Sequence, residues 1–185
     1  MDLDKAIQTR HSVRKFSDKK PDWRNIIECI DSMRYAPMAG NNFTLKFILV
    51  DDEEKIKKIA EAAQQDFVSE VKYLVVACTD LSRPKNLYGE NGDKWAKQQA
   101  GAAIENFLLK IEEFKLATCW VGLFEEDLIK KTLKIPEHIK VEAVFPIGYE
   151  FKKLKTRRAK IDLDRVLYFD SYGNSKMKSP AKNVR

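Results

Sequence analysis

The feature that most constrains the fold is an apolar stripe in residues 94–114. Apolar side chains recur there at intervals of three and four residues: Ala96, Ala100, Ala103, Ile104, Phe107, Leu108, Ile111 and Phe114. This spacing places them on one face of an α-helix. Because the stripe is wide, other elements must cover it. The pattern therefore predicts a long, deeply buried helix at the centre of the fold.

Shorter segments before and after this helix predict an alternation of helices and strands. The strands predicted from β-rich runs are 45–50, 73–78, 117–122 and 141–149. The other predicted helices are 2–10, 21–34, a short one at 56–63, and 125–134, with Pro136 as the stop. In the helix at 21–34 the predicted apolar face comprises Trp23, Ile26, Ile27, Ile30 and Met33. Strands separated by helices predict an α/β or α+β sandwich around a sheet.

Length and composition indicate one globular domain. The chain has 185 residues, of which 44% are hydrophobic and 34% charged, and no run approaches the roughly 20 apolar residues of a membrane span. Residues 1–173 are predicted to form the domain, and the polar, basic residues 174–185 a flexible tail. The first residues lack the apolar core of a secretion signal. We therefore expect a cytoplasmic protein with no membrane partner.

Cysteine and histidine positions argue against disulfide and metal sites. The three cysteines, at 29, 78 and 119, are widely spaced, which fits a reducing compartment, and Cys78 lies in an apolar run that indicates the core. His11 and His138 are far apart and have no cysteine or carboxylate at ligand spacing. No metal is expected.

The net charge of +6 favours an anionic partner. The 34 basic residues are dispersed among 28 acidic ones, so a phosphorylated small molecule explains the charge as well as nucleic acid does. A nucleic-acid-binding module is one alternative. Against it, the sequence contains no zinc knuckle, aromatic RNA-binding signature or recognition-helix pattern, and no nucleic-acid partner is expected.

A compact basic motif, residues 10–14, follows the first predicted helix. If this segment is extended, Arg10, Ser12 and Arg14 point to one side, and His11 and Val13 point to the other. Two guanidinium groups and a hydroxyl are suited to bind a phosphate. The alternative is a solvated basic turn, which the spacing alone favours.

Three further segments could line a ligand site. Small residues in 36–42 would let a flat ligand approach the backbone. The strand end at 120–122 could offer free backbone N–H groups before a helix. Arg157, Arg158 and Lys160 could close over a phosphate. Taken one at a time, these segments also fit an ordinary turn, a strand end and a solvated surface.

Together the segments form a pattern that resembles the FMN-dependent nitroreductase family over about residues 3–173. The landmarks, in order, are RHSVRKF, APMAGNNF, QDFV, QQAGAAIENFLLKIEEFKLATCWVGLF, FPIGYE and a basic stretch before VLYFDSYG. The resemblance implies a three-layer α/β/α sandwich of the α+β class around a mixed, mostly antiparallel sheet. It also implies a homodimer with FMN bound at the interface between the two subunits.

The resemblance assigns roles to the basic motif. Arg10 and Ser12 match phosphate ligands, and His11 matches a position that lines the same pocket. Arg14 matches a cation near flavin N1 and the C2 carbonyl, where it would stabilise the negative charge of the reduced ring.

The other matched positions surround the flavin ring and its phosphate. Gln65 matches an amide that hydrogen-bonds the polar edge of the ring, and the backbone N–H of Gly122 is the expected partner of flavin N5. The remaining matches are the strand end, Trp120 and Val121; the basic pair that completes the phosphate site, Arg158 and Lys160; and the segment that the partner subunit supplies, Pro37, Met38, Ala39 and Asn41.

The function that the resemblance implies is reduction of small molecules through FMN. NADH or NADPH would pass hydride to flavin N5 and leave, and a nitroaromatic, a quinone or a similar acceptor would then be reduced with ping-pong kinetics. No catalytic side chain is expected. The alternatives within this fold are reductive dehalogenation and flavin cleavage, and a third is a non-catalytic flavin carrier.

Two regions bear on substrate preference. The Gln-Pro-Trp that often continues the 36–42 segment is replaced here by Phe43, Thr44 and Leu45, which affects the local geometry. The stretch 81–95 is rich in turn formers and corresponds to the part that shapes the substrate face. Tyr88 and Trp95 are therefore candidates for substrate contact, and a packed loop is an equal alternative.

Overall fold

The computed structural model describes residues 1–152 and 161–177 and divides into two compact units, residues 1–153 and 154–185. The helices of the first unit are α1 (Leu3–Thr9), α2 (Trp23–Asp31), α3 (Glu53–Ala63), α4 (Ser82–Tyr88), α5 (Asn91–Glu113) and α6 (Glu126–Leu133). Its strands are β1 (Leu45–Val50), β2 (Tyr73–Asp80), β3 (Ala117–Thr118) and β4 (Ile139–Gly148).

The second unit contains a short 3₁₀ helix, Leu163–Arg165, in its described part. A turn follows in which the backbone N–H of Phe169 donates to the carbonyl of Asn174 at 2.8 Å. The division into a domain of residues 1–173 and a basic tail of residues 174–185 stays a prediction.

The four strands form one sheet in the order β1-β2-β4-β3, and each neighbouring pair is antiparallel. Successive residues of a strand face opposite sides of a sheet. In β2, Val75 and Ala77 join the core on one side, whereas Leu74 and Val76 join the core on the other. Helices cover both faces, so β2 is buried along almost its whole length. The predicted three-layer α+β sandwich is confirmed.

The first helical layer contains α2 and α5. The apolar stripe of α5 is buried from Ala96 to Ile111, as predicted, and the ring of Phe107 packs edge-on against Phe145 of β4 with 5.3 Å between centroids. Although α5 has 23 residues, neither it nor any other helix in the described residues has the length and apolar character needed to cross a membrane.

The predicted apolar face of the second helix is wrong at two positions. Ile26, Cys29 and Met33 are completely buried, whereas Trp23 is 49% and Ile27 43% exposed. The buried positions recur at intervals of three and four residues and form a narrow line along the helix. α2 therefore contacts the core along one edge only.

The second helical layer contains α3 and α6. Ile56 and Ile129 are buried against the opposite face of the sheet. The carboxylate of Asp52 accepts hydrogen bonds from two backbone N–H groups in the first turn of α3, which is a typical N-cap. α6 ends where Lys134 adopts a left-handed conformation (φ 56°), two residues before Pro136.

The three cysteines, Cys29, Cys78 and Cys119, are buried and unpaired. Burial raises the pKa of Cys29 and that of Cys78 to about 12. These two thiols therefore stay protonated near neutral pH, and a protonated thiol is a poor nucleophile. The predicted place of Cys78 in the core is confirmed.

The predicted strand at 117–122 is too long because a proline lies opposite its middle. β3 pairs over two residues only, and an isolated bridge between Val121 and Val144 continues the same register. In that register Cys119 lies opposite Pro146, which has no N–H to donate. The ladder is therefore interrupted between Thr118 and Val121.

The turn-rich stretch 81–95 is largely helical. α4 begins at Ser82 with Pro84 in its first turn, where the missing N–H would have no helical partner. Gly89, with φ 55°, separates α4 from α5. Tyr88 and Trp95 therefore lie on helices.

Candidate functional site

The basic motif belongs to a segment that runs along the edge of the sheet. The backbone N–H of Val13 donates to the carbonyl of Thr118 in β3 at 2.9 Å. Further along, Phe16 forms a bridge with Glu150, and the N–H of Ser17 donates to a carbonyl of the chain just after β4 at 2.8 Å. These contacts fix the backbone of residues 13–17 against β3 and the end of β4. We call residues 10–17 the edge segment.

A small apolar cluster joins three of the landmarks. Phe67 packs against its buried members, which are Val13, Phe16, Val71 and Ala117. A side chain at Gly148 would lie 2.8 Å from the ring of Phe16, so glycine permits this close packing. The cluster holds together the basic motif, the QDFV stretch and the start of ATCWVG.

The side chains of the basic motif alternate in exposure, as an extended segment predicts. Val13 is buried, whereas Ser12 and Arg14 are exposed. Arg10 follows the last residue of α1, and its Nε is buried without a hydrogen-bond partner in the described chain. The carboxylate of Glu105 is 3.7 Å from that nitrogen. A buried charged donor without a hydrogen bond is unfavourable, so the Arg10 side chain, which is 20% exposed, would gain from an additional anionic acceptor.

His11 contacts oxygen atoms through both of its ring nitrogens. Nδ1 lies 2.9 Å from the carbonyl oxygen of Thr9, and Nε2 lies 3.2 Å from Oε1 of Glu150. Burial by itself lowers the pKa of His11. The two hydrogen bonds and the negative charges of Glu150 and Glu112 raise it more, so the pKa lies above its ordinary value.

The predicted strand end, residues 120–122, follows the interrupted part of β3. Val121 exchanges two backbone hydrogen bonds with Val144, each of 3.0 Å. Trp120 is 42% exposed, and its ring is tilted against that of Phe145 at 6.1 Å. Gly122 is exposed, and its N–H has no hydrogen-bond partner within residues 1–152 and 161–177. This N–H is available to an acceptor atom of a ligand.

Gln65 lies just after α3 and is partly buried. Its side-chain amide makes one long contact, 3.4 Å, to the carbonyl of Ala63. Nearby, the N–H of Glu125 donates to the carbonyl of Ala62 at 2.9 Å, which ties the end of α3 to the loop after Gly122. The structure thus brings Gln65 to the same part of the fold as the strand end.

The segment 37–41 makes different contacts. Gly40 adopts φ 57°, and a side chain there would clash with the hydroxyl of Tyr88 in α4. Pro37 and Asn41 are exposed, and Met38 and Ala39 are partly buried. Among the described residues, no hydrogen bond, ion pair or ring contact joins this segment to the basic motif. Within one chain, the structure does not bring these two groups of predicted site residues into contact.

Thr44, in the place of the family's Gln-Pro-Trp, is buried and paired with Gln99 of α5. Oε1 of Gln99 accepts hydrogen bonds from the N–H of Thr44 at 2.9 Å and from its hydroxyl at 2.6 Å. Nε2 of Gln99 donates to the carbonyl of Asn42 at 3.2 Å. We call these three residues the Gln99 network. It anchors the chain between residue 42 and β1.

A shallow pocket, with about 210 Å³ of empty space that includes open solvent, lies beside the Gln99 network. It lies between residues 39–44 and the helices α4 and α5, and its lining residues are Ala39, Asn42, Thr44, Pro84, Tyr88, Trp95, Ala96 and Gln99. Tyr88 is 36% and Trp95 40% exposed. The structure thus places both candidate substrate-contact residues in one pocket with the 36–42 segment.

Two residues at these sites were missed from the sequence. Glu150 was part of the FPIGYE landmark, but its contact with His11 depends on strand pairing across the fold. Gln99 interrupts the apolar stripe of α5, and a polar residue on a buried face is a signal for a buried partner. Arg157, Arg158 and Lys160 lie outside the described residues, so their part in a phosphate site stays a prediction.

The fold matches solved structures of one class of protein. The structure of a nitroreductase family protein from Clostridium novyi NT has a TM-score of 0.74 and 28% sequence identity, with 97% of this chain and 99% of that chain covered. The α+β sandwich with a basic segment at the edge of the sheet is thus a nitroreductase-like fold.

Sequence comparison assigns the family. Two archaeal proteins are similar to this chain, and both are provisionally named NADH dehydrogenase/NAD(P)H nitroreductase. The protein of Archaeoglobus fulgidus is 32% identical over 150 residues, 78% of this chain and 83% of the relative. The protein of Methanothermobacter thermautotrophicus is 30% identical over 171 residues, 90% and 86% of the two chains. The Nitroreductase family model matches residues 7–79 and 62–149.

The chain belongs to the nitroreductase family. The predicted family is confirmed, and with it the predicted class of enzyme, an NAD(P)H-dependent flavin oxidoreductase.

Proposed function

We propose that this protein uses NAD(P)H to reduce small acceptors, such as nitroaromatics or quinones, through bound FMN, and that it acts as a homodimer. The observation that carries the proposal is the hydrogen bond from Val13 to Thr118. It fixes the basic motif beside the strand that leads to the N–H of Gly122, which has no hydrogen-bond partner among the described residues. A phosphate-binding motif and a donor for an electron-rich ring atom are thereby held on neighbouring stretches of chain.

In this proposal the basic motif binds the polar parts of FMN. Arg10, whose buried Nε makes no hydrogen bond in the described chain, and Ser12 bind the phosphate, and Arg158 and Lys160 complete that site. Arg14 lies near the pyrimidine edge of the flavin, where a cation stabilises the charge of the reduced ring. FMN, when bound, supplies the hydride transfer itself, so the chain needs no nucleophile or general base.

Backbone and amide groups bind the ring in the proposed site. The Gly122 N–H donates to flavin N5, and the two hydrogen bonds between Val121 and Val144 keep that donor in place. Trp120, which directly precedes Val121 and is partly exposed, borders the flavin ring. The amide of Gln65, whose contact with the carbonyl of Ala63 is long at 3.4 Å, hydrogen-bonds the polar edge. Donors held by the fold need no reorganisation during the reaction.

The second subunit supplies residues 37–41 in this proposal. Its support is that Pro37 and Asn41 are exposed while the segment rests on α4 and α5 of its own chain. The pocket lined by Tyr88 and Trp95 adjoins the same segment, so it would lie beside the partner's FMN. Aromatic side chains there can pack on a flat acceptor.

The names of relatives support the donor and the cofactor. The two archaeal relatives carry NAD(P)H in their names. A protein of Bacillus subtilis that is 25% identical over 149 residues is named FMN reductase (NADPH); this chain spans 60% of its length.

The test is a visible absorption spectrum of the purified protein, followed by anaerobic addition of NADH and then of NADPH. We expect the absorption of oxidised flavin, bleaching by at least one nucleotide, and recovery when a nitroaromatic or quinone is added. A colourless protein that takes up no FMN would overturn the proposal. Bound flavin that neither nucleotide bleaches would identify a non-catalytic carrier instead.

Reductive dehalogenation is a second candidate because of one relative. An iodotyrosine deiodinase of Thermotoga neapolitana is 22% identical over 156 residues, 76% of this chain and 84% of that protein. A panel containing a nitroaromatic, a quinone and a halogenated phenol separates the two functions. Halide release combined with poor turnover of the other acceptors would favour dehalogenation.

A further inference from the structure

Both ring nitrogens of His11 face oxygen atoms that can only accept hydrogen bonds. These are the carbonyl oxygen of Thr9, 2.9 Å from Nδ1, and the carboxylate of Glu150, 3.2 Å from Nε2. A neutral imidazole carries one N–H and an imidazolium carries two. Both contacts are therefore hydrogen bonds only when His11 is protonated.

The charges around His11 favour the protonated ring. Glu150 follows β4, and Glu112 of α5 accepts from the hydroxyl of Thr9 at 2.8 Å, so carboxylates from two other elements face this region. The Thr9 carbonyl lies at the C-terminal end of α1, which carries partial negative charge. On its own segment, the neighbouring cations are Arg10, Arg14 and Lys15. Because Thr9 and Glu150 occupy both N–H groups, neither is left for a phosphate.

The contacts of His11 link two elements across the phosphate-binding residues. Thr9 is the last residue of α1, and Glu150 lies just beyond β4 and bridges Phe16. Arg10 and Ser12, the proposed phosphate ligands, are the residues directly before and after His11. The imidazolium of His11 therefore holds the backbone between Arg10 and Ser12 in place.

We propose that His11 is a positioning residue, which in its protonated form holds Arg10 and Ser12 in the arrangement that binds the phosphate of FMN and which makes no hydrogen bond to the phosphate itself. The inference rests on the proposed function. It predicts that affinity for FMN, and not affinity for riboflavin, which has no phosphate, depends on the protonation of His11.

The first experiment is an NMR titration of the histidines in the FMN-free protein. The chain has two, His11 and His138, and a His138→Gln variant assigns the signals. We expect both nitrogens of His11 to be protonated at pH 6, and its pKa to fall in a Glu150→Gln variant. A neutral His11 at pH 6, or a pKa that Glu150→Gln leaves unchanged, would overturn this inference alone.

The second experiment compares dissociation constants for FMN and riboflavin between pH 6 and pH 9. In the wild-type protein we expect the preference for FMN to fall about 5- to 10-fold as His11 loses its proton, a coupling in the usual range between linked sites. His11→Gln should remove this part of the pH dependence, and what remains is the ionisation of the FMN phosphate. His138→Gln should keep the full wild-type profile.

The outcomes separate the two proposals. Matching pH profiles in the wild-type and His11→Gln proteins, with FMN bound by both, would overturn the role of His11 and leave the proposed function intact. Absence of FMN binding at every pH would overturn the proposed function and this inference with it. By linkage, bound FMN should lower the acid dissociation constant of His11 by the same factor by which protonation improves FMN affinity, so its pKa should rise by the logarithm of that factor.

Discussion

The edge segment and the Gln99 network hold polar groups in opposite ways. In the edge segment the backbone is fixed by hydrogen bonds, whereas the buried Nε of Arg10 makes no hydrogen bond in the described residues, and Ser12 and Arg14 are exposed. In the Gln99 network the buried side-chain amide of Gln99 accepts from the N–H and hydroxyl of Thr44 and donates to the carbonyl of Asn42, at distances of 2.6–3.2 Å.

This difference separates polar groups that can bind a ligand from polar groups that fix the local conformation of the chain. A buried donor without a hydrogen bond lowers stability, and an anion bound by the guanidinium of Arg10 would offset that cost. A buried amide with its partners fixes local geometry and gains nothing from a ligand. Changes in the edge segment should therefore alter binding, and changes in the Gln99 network should alter folding.

The largest effect is expected from Arg10→Ala combined with Arg14→Ala. Hydrogen bonds to charged groups are worth about 1.5–3 kcal/mol each, so losing both cations should weaken FMN binding by about 3–6 kcal/mol, or roughly 10²- to 10⁴-fold. Isothermal titration of the FMN-free variant measures this loss. Urea unfolding should show stability close to wild type, because the ion pair of Arg10 with Glu105 is long and partly exposed.

Arg24→Ala combined with Arg34→Ala is the matched control. These arginines are exposed, pair with Asp22 and Asp31, and their removal changes the net charge by the same amount. FMN affinity should stay close to wild type. If the control loses as much affinity as the first variant, general electrostatic attraction and not a defined phosphate site accounts for binding.

Gln99→Leu should have the next largest effect, on stability. It leaves the N–H and hydroxyl of Thr44 and the carbonyl of Asn42 buried without their partner, at about 1–3 kcal/mol for each unsatisfied group. Because the neighbouring chain can relax, we expect a total loss of about 2–4 kcal/mol in urea unfolding. Gln98→Leu, on the exposed neighbouring position, should change little; equal losses in both variants would mean that the network does not anchor residues 42–44.

Gly148→Ala should loosen the edge segment by a smaller amount. The added methyl group would lie 2.8 Å from the ring of Phe16, and such overpacking costs about 1–3 kcal/mol. Both the free energy of unfolding and FMN affinity should fall. The control is Gly101→Ala in α5, where the added group meets nothing within 4 Å and helix propensity predicts a gain of about 0.5–1 kcal/mol. A Gly148→Ala protein with wild-type stability would show that Phe16 is free to move.

Local patterns in the sequence predict much of this fold. The stripe of α5, the strands β1 and β2, and the alternation of Val13 with exposed neighbours all follow from spacing within a short stretch. The interruption of β3 does not, because it depends on which residue of β4 lies opposite Cys119. Only the register shows that this residue is Pro146.

The same limit applies to the candidate site. The basic motif can be identified in the sequence because its residues are adjacent. The partners that give it geometry are distant: Glu150 is 139 residues from His11, and Gln99 is 55 residues from Thr44. Such pairs form only when the sheet and helices pack, so no periodicity or spacing in the sequence predicts them. The sequence landmarks identify the segments that form the candidate site, and the folded structure shows which of their side chains contact each other.

The smallest expected effect is a pH dependence confined to the edge segment. The hydrogen bonds to Thr9 and Glu150 and the nearby carboxylates outweigh burial and raise the pKa of His11 in the folded state. Because its pKa is raised on folding, protonated His11 stabilises the folded protein. This stabilisation is complete below the pKa of an unfolded histidine, about 6.5, and is lost as pH rises through the pKa of His11 in the folded protein. The Gln99 network contains no group that titrates in this range.

Hydrogen–deuterium exchange between pH 6 and pH 9, corrected for the intrinsic rate, can separate the two regions. Protection of peptides covering residues 9–17 should fall with rising pH, while peptides covering residues 41–45 should keep theirs. In a Glu150→Gln protein the protection of residues 9–17 should be lower at pH 6 and nearly constant with pH, because His11 then lacks the carboxylate that holds it protonated. Equal pH dependence in both regions would mean that the whole unit opens together, and the contrast between a titrating edge and a neutral interior network would then be wrong.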